Sequence, residues 1–280
     1  MKETLLHDKI AVVTGGYGAI CSAICKELAA NGARTVIIGR NSDAAAALAG
    51  EIESIYGTIS VGVAADVLDR KSIEKAKSFI NDELGPVDIL VNGAGGNSPN
   101  ATTAREQMTG GPDEDFLDTF FGLDSEGFDK VFDLNFKGTL ISTMIFANDM
   151  VSRGTGSVIN ISSMNAFRPL TKIPAYSAAK AAVNNFTEWL AVHFAKTGVR
   201  VNAIAPGFII TDQNRFLLTN EKTGELTSRG MKVISNTPMG RFGTPAEMAG
   251  TVVYLASDMA KFVTGVVIPV DGGFNAYSGV

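Results

Sequence analysis

Tyr176 and Lys180, a tyrosine and a lysine four positions apart, are the first residues whose types and spacing could do chemistry. Residues at this spacing share one face of a helix, and an ammonium group near a phenol stabilises the phenolate. The pair predicts that Lys180 lowers the pKa of Tyr176 towards neutrality, so that the tyrosine can act as an acid or base. Ser163 lies upstream, at the end of a predicted strand, where its hydroxyl could hold a carbonyl. Taken alone, a Tyr-x-x-x-Lys pair is common on protein surfaces, so its meaning depends on the other motifs.

A glycine-rich turn near the start of the chain could bind phosphate. The first predicted strand runs directly into residues 14–21, with the sequence TGGYGAIC, and from there into a helix. Glycines let the backbone approach a pyrophosphate, and a helix N-terminus offers free N–H groups and the positive end of its dipole. A simple strand-to-helix turn has a similar sequence, but this one opens a complete βαβ unit. We expect it to bind a dinucleotide through Gly15, Tyr17, Gly18, Ala19 and Ile20.

These residues need a scaffold, and the hydrophobic pattern predicts one in which strands alternate with helices. The strands are continuous apolar runs, which is typical of a parallel sheet buried on both faces. The β-α-β order indicates a single Rossmann-type, doubly wound α/β domain over residues 1–280, with about seven strands and helices on both faces. The predicted strands are Ile10–Thr14, Thr35–Ile38, Ile59–Ala64, Val87–Val91, Ser157–Ile161, Val199–Ile204 and Gly265–Val270. The predicted helices are Ile20–Asn31, a helix capped by Ser42 that runs to Tyr56, Ser72–Leu84, Ser125–Ser152, Tyr176–Lys196 and a short helix from Pro245.

Two long segments interrupt this alternation, residues 96–124 and residues 207–240. Both follow predicted strand ends, and ligands of open α/β sheets bind beyond the carboxyl ends of the strands. Long loops in compact domains are usually functional or disordered. We therefore expect residues 96–124 to be an insert at the active site and residues 207–240 to be a substrate loop.

Composition excludes several other classes of protein. The chain is 45% apolar and 19% charged, which excludes a disordered or collagen-like chain. Its net charge of −5, with no basic cluster, argues against nucleic-acid binding. The apolar runs are too short for a membrane span, and the polar first residues carry no signal peptide, so we expect a cytoplasmic protein. His7 and His193 fit no metal site or Ser-His-Asp triad, and Cys21 and Cys25 are expected to be reduced thiols.

Along essentially its whole length, the chain resembles the short-chain dehydrogenase/reductase family. The resemblance implies an NAD(P)-dependent oxidoreductase that interconverts a ketone and an alcohol. It also implies roles: Tyr176 gives or takes the proton, Lys180 binds the nicotinamide ribose and tunes the tyrosine, Ser163 orients the substrate carbonyl, and Asn135 holds a relay water. The motifs that carry it are Thr14–Cys21, Asp66-Val67, Asn92-Gly93-Ala94-Gly95, Asn135, Ser163, Tyr176/Lys180 and Pro206-Gly207.

The same resemblance extends the expected cofactor site beyond the glycine turn. Ala19 and Cys21 depart from the family, which has glycines there, so we expect a Cβ to crowd the pyrophosphate side and a sulfur to crowd helix–strand packing. Asp66 is expected at the adenine edge and Val67 against its ring face. The further cofactor-binding residues are Arg40, Asn41, Asn92, Gly93, Ala94, Gly95, Tyr176, Lys180, Pro206, Gly207, Ile209 and Thr211.

The end of the second strand bears on the choice between NADP(H) and NAD(H). An acidic residue there would bind the ribose diol and repel a 2′-phosphate, but this chain has Gly39 followed by Arg40. A guanidinium can pair with a phosphate, although an arginine after a strand can also simply be solvated. NADP(H) is therefore slightly favoured, and NAD(H) stays open.

A narrower resemblance concerns the variable segments, residues 95–103, 211–218, 238–243 and 271–280. Together they resemble the D-mannonate oxidoreductase (fructuronate reductase) branch of the family, which implies a hexuronate substrate. Other sugar-acid or polyol dehydrogenases, such as a gluconate 5-dehydrogenase, and a 3-ketoacyl-thioester reductase remain alternatives. A catalytically silent nucleotide-binding regulator is a further alternative, against which the complete set of candidate catalytic residues speaks.

A hexuronate must be held at its carboxylate, and arginine or lysine does this best. The candidates are Arg105, Arg168, Lys172 and Arg215, of which we expect at least one to make the contact. Asn97 and Thr102 are expected to bind substrate hydroxyls. The family resemblance also implies a homodimer or homotetramer, formed through the helices at about 125–152 and 176–196.

Overall fold

The computed structural model describes residues 4–111, 115–211, 214–220 and 222–279. Residues 212, 213 and 280, which belong to the variable stretches compared above, lie outside the described residues. Within the described ranges no helix is long and apolar enough to cross a membrane. The same ranges contain no group of three or more His, Cys, Asp or Glu side chains arranged to hold a metal.

A seven-stranded parallel sheet organises the described residues, in the order β3-β2-β1-β4-β5-β6-β7. This confirms the predicted α/β fold. The central strands are buried along their length, and adjacent residues such as Val12 and Val13 belong to cores on opposite faces of the sheet. The strands are β1 (Ile10–Thr14), β2 (Arg34–Gly39), β3 (Ser60–Ala64), β4 (Ile89–Asn92), β5 (Gly156–Ile161), β6 (Val199–Pro206) and β7 (Val267–Val270).

Helices cover both faces of the sheet. They are α1 (Ala19–Ala30), α2 (Ser42–Tyr56), α3 (Arg70–Glu83), α4 (Ser125–Phe132), α5 (Gly138–Arg153), α6 (Pro174–Phe194), α7 (Arg215–Leu218), α8 (Ser228–Ser235) and α9 (Pro245–Ala256). Residues of α1, α2 and α9 pack on one face, and residues of α3, α5 and α6 pack on the other. The sheet is therefore enclosed on both sides, as its uninterrupted apolar strands predict.

Two helix predictions were wrong in detail. Ser42 is not the cap of α2: the Asn41 side chain accepts hydrogen bonds from the N–H groups of Asp43 and Ala44, and Ser42 is the first helical residue. The helix expected over residues 125–152 is divided by a π-helical turn, Asp133–Lys137, between α4 and α5. An apolar pattern does not reveal such a turn, because the helix continues on both sides of it. π-Turns are frequent at functional sites, and Asn135 lies inside this one.

The sheet order places a crevice between β1 and β4. Strands β2 and β3 lie on one side of β1, and the later strands lie on the other. Helix α1, which follows β1, and helix α5, which comes after β4, pack on opposite faces of the sheet. Thr14 and Asn92, the last residues of these strands, are aligned in the sheet. This is the switch point at which open α/β sheets bind ligands.

The helices expected to form an oligomer contact expose large apolar side chains. Met144 on α5 and Trp189 and Val192 on α6 are exposed, Val192 to 79%. Exposed apolar surface of this kind often marks an interface. The homo-oligomer stays a prediction.

Candidate active site

A cleft with a volume of about 460 Å³ lies at the switch point. Most of the residues expected at the cofactor meet there, although they come from separate loops of the chain. Those that line it are Gly15, Tyr17, Gly18, Ala19, Ile20, Arg40, Asp66, Val67, Gly93, Ala94, Gly95, Tyr176, Lys180 and Thr211.

The glycine turn fits a pyrophosphate. Gly15 has a φ of +64°, and a Cβ there would lie 2.8 Å from the Cα of Ala94, so only glycine is accommodated. Gly18 is the N-cap of α1, which begins at Ala19 and points its first free N–H groups into the cleft region. This backbone cradle with the positive end of a helix dipole suits a dinucleotide.

Cys21 occupies space that Gly93 leaves open. A Cβ at Gly93 would collide with the Cys21 sulfur, so the two residues are sterically complementary, although Cys21 lies on α1 and Gly93 follows β4. The Cys21 sulfur, which we expected to crowd the packing of helix against strand, is therefore accommodated because Gly93 has no side chain. Burial raises the pKa of the Cys21 thiol to about 12, so the thiol is protonated and unreactive at neutral pH.

A similar complementarity shapes the predicted ribose end of the cleft. A Cβ at Gly39 would collide with the ring of Tyr17, so the tyrosine lies where an acidic side chain at this position would stand. The Tyr17 hydroxyl accepts a hydrogen bond from the N–H of Asn41, at 3.2 Å. Arg40, which is exposed, lines the same cleft as Tyr17 and Gly39. This end of the cleft therefore offers a phenol and a guanidinium in place of a carboxylate.

Ser163, Tyr176 and Lys180 converge at the other end of the cleft. Ser163 follows β5, whereas Tyr176 and Lys180 lie on the first turns of α6. The Ser163 hydroxyl lies close enough to the Tyr176 phenol for a hydrogen-bonding interaction that lowers the pKa of the phenol. Lys180 is almost fully buried, donates a hydrogen bond to the carbonyl of Ile161 at 2.7 Å, and lies 5.6 Å from the centre of the Tyr176 ring. A hydroxyl, a phenol and an ammonium therefore share one small volume.

The pKa values differ from the expectation based on spacing. Burial raises the pKa of Tyr176, with the Ser163 hydrogen bond acting in the opposite direction. Burial also lowers the pKa of Lys180 to about 8, because desolvation disfavours its charged form. The prediction that Lys180 depresses the tyrosine pKa is therefore wrong for the protein by itself. The structure describes a protonated phenol that is ready to donate.

Asn135 positions the loop after β4. Its side-chain amide donates to the carbonyl of Gly96 at 2.7 Å, and its side-chain oxygen accepts from the N–H of Gly96 at 3.1 Å. A Cβ at Gly95 would lie 2.5 Å from the same oxygen and 3.3 Å from the Lys180 nitrogen. Asn135 thus fixes the position of Gly96 and packs closely against Gly95, which lies beside Lys180. The water that Asn135 is expected to hold stays a prediction.

Some expected cofactor residues lie outside the cleft lining. Asn92 is buried in the sheet and donates hydrogen bonds to Thr143 and Asn160. Asn41 caps α2, and Gly207 and Ile209 line a separate cavity of about 350 Å³. Pro206, the last residue of β6, is buried. Conversely, the cleft includes residues that the sequence motifs did not single out as cofactor contacts: Cys21, Gly39, Ala65, Gly96, Leu134 and Ile161. Most of these directly adjoin a motif, and that position was the available signal.

The expected substrate residues belong to three parts of the fold. Asn97 and Thr102 are brought together by a hydrogen bond of 3.0 Å between their side chains. Arg105 and Lys172 line one cavity of about 280 Å³, and Arg105 approaches Asp118 at 3.9 Å. Arg168 is exposed and donates to the carbonyl of Asn275, and Arg215 begins α7. The geometry therefore groups Lys172 with Arg105 and leaves Arg168 outside that cavity lining.

Comparison with known proteins agrees with this fold. A family model for the short chain dehydrogenases matches residues 9–222. The chain therefore belongs to the short-chain dehydrogenase/reductase family and is an oxidoreductase that uses NAD(P).

Two relatives are similar over nearly their whole length. An uncharacterized oxidoreductase of Bacillus subtilis, UxuB, is 49% identical over 276 residues, which are 98% of each chain. A candidate D-mannonate oxidoreductase from Haemophilus influenzae, solved with bound NAD, is 47% identical with a TM-score of 0.92 over 98% of each chain. A Burkholderia cenocepacia gluconate 5-dehydrogenase, solved with NADP and tartrate, is more distant, at 28% identity and a TM-score of 0.83 over 98% of each chain.

Proposed function

We propose that the protein reversibly reduces the ketone of D-fructuronate to the secondary alcohol of D-mannonate. The observation that carries the proposal is the similarity to the Haemophilus protein, which extends over 98% of both chains. The variable segments that distinguish family members are thus included in the match. Arg105, within the active-site insert, and Lys172 line one cavity together with the single carboxylate of Glu106, and this excess of positive charge supports an acidic substrate.

The residues of this chain have distinct parts in such a reaction. A nicotinamide cofactor held in the cleft by the glycine turn and Lys180 would supply or accept the hydride. The Ser163 hydroxyl holds the carbonyl oxygen, and the Tyr176 phenol donates the proton that completes the alcohol. Lys180, when protonated, stabilises the phenolate that remains. Because burial favours the protonated phenol, Tyr176 is in the form that donates a proton during reduction, and oxidation requires loss of that proton.

The proposal is tested with a panel of ketones and the near-ultraviolet absorbance of the reduced cofactor. We expect kcat/KM for D-fructuronate to exceed that for neutral D-fructose by at least ~10-fold, because a buried charge-assisted contact contributes ~1.5–3 kcal/mol. A ketogluconate and a 3-ketoacyl thioester represent the alternative dehydrogenase and reductase functions. Faster reduction of either, or equal reduction of fructose and fructuronate, would reject the hexuronate assignment. Binding of cofactor without turnover of any ketone would favour a regulator.

The cofactor preference is a second proposal: Arg40 favours NADP(H) by pairing with its 2′-phosphate. Removing such a pair should cost roughly 10- to 100-fold in affinity. We therefore expect Arg40→Ala to raise the Kd for NADPH by that factor and to leave the Kd for NADH nearly unchanged. The measurement is quenching of protein fluorescence by each cofactor, with Arg34→Ala, an arginine at the opposite end of β2, as the control. The Haemophilus relative was solved with NAD. If the wild type already prefers NADH and Arg40→Ala changes neither value, the preference is for NAD(H).

A further inference from the structure

A cavity of about 360 Å³ lies where the active-site insert meets the substrate loop. Its volume falls within the range of small-molecule sites. Glu106 comes from the insert, Lys172 from the turn before α6, and Arg229 and Lys232 from α8. Phe208 and Phe274, whose rings pack edge to face at 5.4 Å, supply an apolar wall. Four distant parts of the chain thus build one partly apolar, strongly charged cavity.

The charges of this cavity do not balance. Among the described residues, Lys232 forms an ion pair with Glu106 at 2.7 Å, and neither Lys172 nor Arg229 has an ion-pair partner. The hydrogen bond and charge of Lys232 lower the pKa of Glu106, and the charges of Lys172 and Arg229 lower it further. All three cations therefore lie close enough to the Glu106 carboxylate to lower its pKa, and this one carboxylate neutralises one of the three charges. Among the residues that the structure describes, two positive charges of this cavity therefore have no carboxylate partner.

The backbone of Lys172 adopts an unfavourable conformation. Its φ is +75°, in the left-handed region that residues other than glycine rarely adopt. The Lys172 carbonyl accepts a hydrogen bond from the N–H of Thr103 at 2.9 Å, so the insert holds the turn in place. Strained residues are often found in ligand-binding positions, where the surrounding structure maintains them. Here the strained residue is one of the two uncompensated cations.

The cavity lies on the same edge of the sheet as the candidate catalytic residues. Phe208 follows β6 after a single glycine, and Ser163 follows β5. Lys172 precedes Tyr176 by four residues, so their Cα atoms are at most ~14 Å apart. A lysine side chain together with a six-carbon sugar acid can span that distance, with the ketone near the phenol and the carboxylate near the ammonium.

We propose that Lys172 and Arg229 together bind the carboxylate of the sugar-acid substrate, beside the Glu106–Lys232 ion pair that joins the insert to α8. This proposal rests on the proposed hexuronate function. Arg229 was not among the four cations expected from the sequence. In this arrangement Glu106 competes with the substrate carboxylate for the same cations. Removing the charge of Glu106 should therefore strengthen substrate binding, whereas removing Lys172 or Arg229 should weaken it.

The test measures binding separately from turnover. D-Mannonate is titrated calorimetrically into the Tyr176→Phe protein saturated with oxidised cofactor, in which the oxidation is blocked. Arg229→Ala and Lys172→Gly are each expected to raise the Kd roughly 10- to 100-fold. Glycine is chosen at position 172 because it relieves the positive φ, so loss of folding is not expected. Glu106→Gln is expected to lower the Kd, since it removes the competing negative charge. Lys222→Ala, on the same loop but outside the cavity lining, is the control and should bind normally.

The neutral alcohol D-mannitol separates charge recognition from damage to the site. Its binding to the Tyr176→Phe protein should be unchanged in all four variants, because it has no carboxylate for Lys172 or Arg229 to hold. Equal D-mannonate affinity in Arg229→Ala, Lys172→Gly and the parent would overturn this inference and leave the hexuronate function standing. Parallel loss of D-mannonate and D-mannitol binding would also overturn it, because it would indicate a structural role. If the parent protein binds no D-mannonate at all, both the inference and the proposed function fail.

Discussion

Replacing Tyr176 with phenylalanine is expected to lower kcat for ketone reduction by ~10²–10⁴-fold, the usual contribution of a general acid. Phenylalanine keeps the ring against Ala101 and Val131, which pack around this position, and removes only the hydroxyl that contacts Ser163. Cofactor affinity should change little. The measurement is single-turnover reduction at saturating cofactor. Tyr56→Phe, at the end of α2, serves as a matched control and should retain full activity.

The pH dependence provides a second measure of the same residue. Burial raises the pKa of Tyr176, so the free enzyme holds the phenol protonated at neutral pH. The rate of alcohol oxidation, which requires the tyrosine to accept a proton, is therefore expected to rise with pH in the alkaline range. The phenylalanine variant should lose this rise. Near-normal turnover by Tyr176→Phe, or an unchanged pH profile, would show that another group transfers the proton.

Lys180→Met is expected to lower activity without lowering stability. Methionine fills a similar volume but cannot carry the charge that stabilises a phenolate. Electrostatic groups of this kind contribute ~10²–10³-fold to kcat. We therefore expect kcat to fall by that factor, with part of the loss appearing as weaker cofactor binding. Retention of activity would exclude a direct role for the lysine.

The stability effect follows from the lowered pKa of Lys180, which is about 8 in the folded protein against 10.5 for a lysine in water. Between these two values the unfolded chain binds more protons than the folded one, so wild-type stability should rise with pH across that window. Below it, the folded protein bears the full cost of a buried charge, ~3 kcal/mol. Loss of the charge-assisted hydrogen bond to Ile161 costs ~1.5–3 kcal/mol, so at pH 7 the variant should be no less stable than the wild type and at most ~1.5 kcal/mol more stable. Thermal unfolding as a function of pH measures this: a variant that is less stable at pH 7, or that keeps the alkaline rise, would contradict the assignment.

Much of the fold could be predicted because its signals are local. The run from Ile10 to Thr14 is apolar and β-branched, and the glycine turn that follows begins a helix. Such patterns depend on the backbone and on residues close in sequence, so the strand and the helix can be predicted without knowing the rest of the structure. The π-turn around Asn135 and the capping by Asn41 were missed because each depends on one local hydrogen-bond arrangement within an otherwise regular helical pattern.

The candidate site divides in the same way. The sequence by itself determined which residue types are available: a glycine turn, a serine after a strand, and a tyrosine and lysine on one helix face. Only the tertiary structure decided their electrostatics, because Lys180 is buried close to Gly95, and Tyr176 packs against Ala101 and Val131. It also decided the steric pairs, in which Cys21 fits against Gly93 and Tyr17 against Gly39. Desolvation and steric contact arise between segments far apart in the chain, and no local pattern encodes which segments meet. Arg229 and Lys172 are likewise far apart in the chain and line one cavity only in the folded protein. The cavity that we propose for the carboxylate could therefore not be predicted from the sequence.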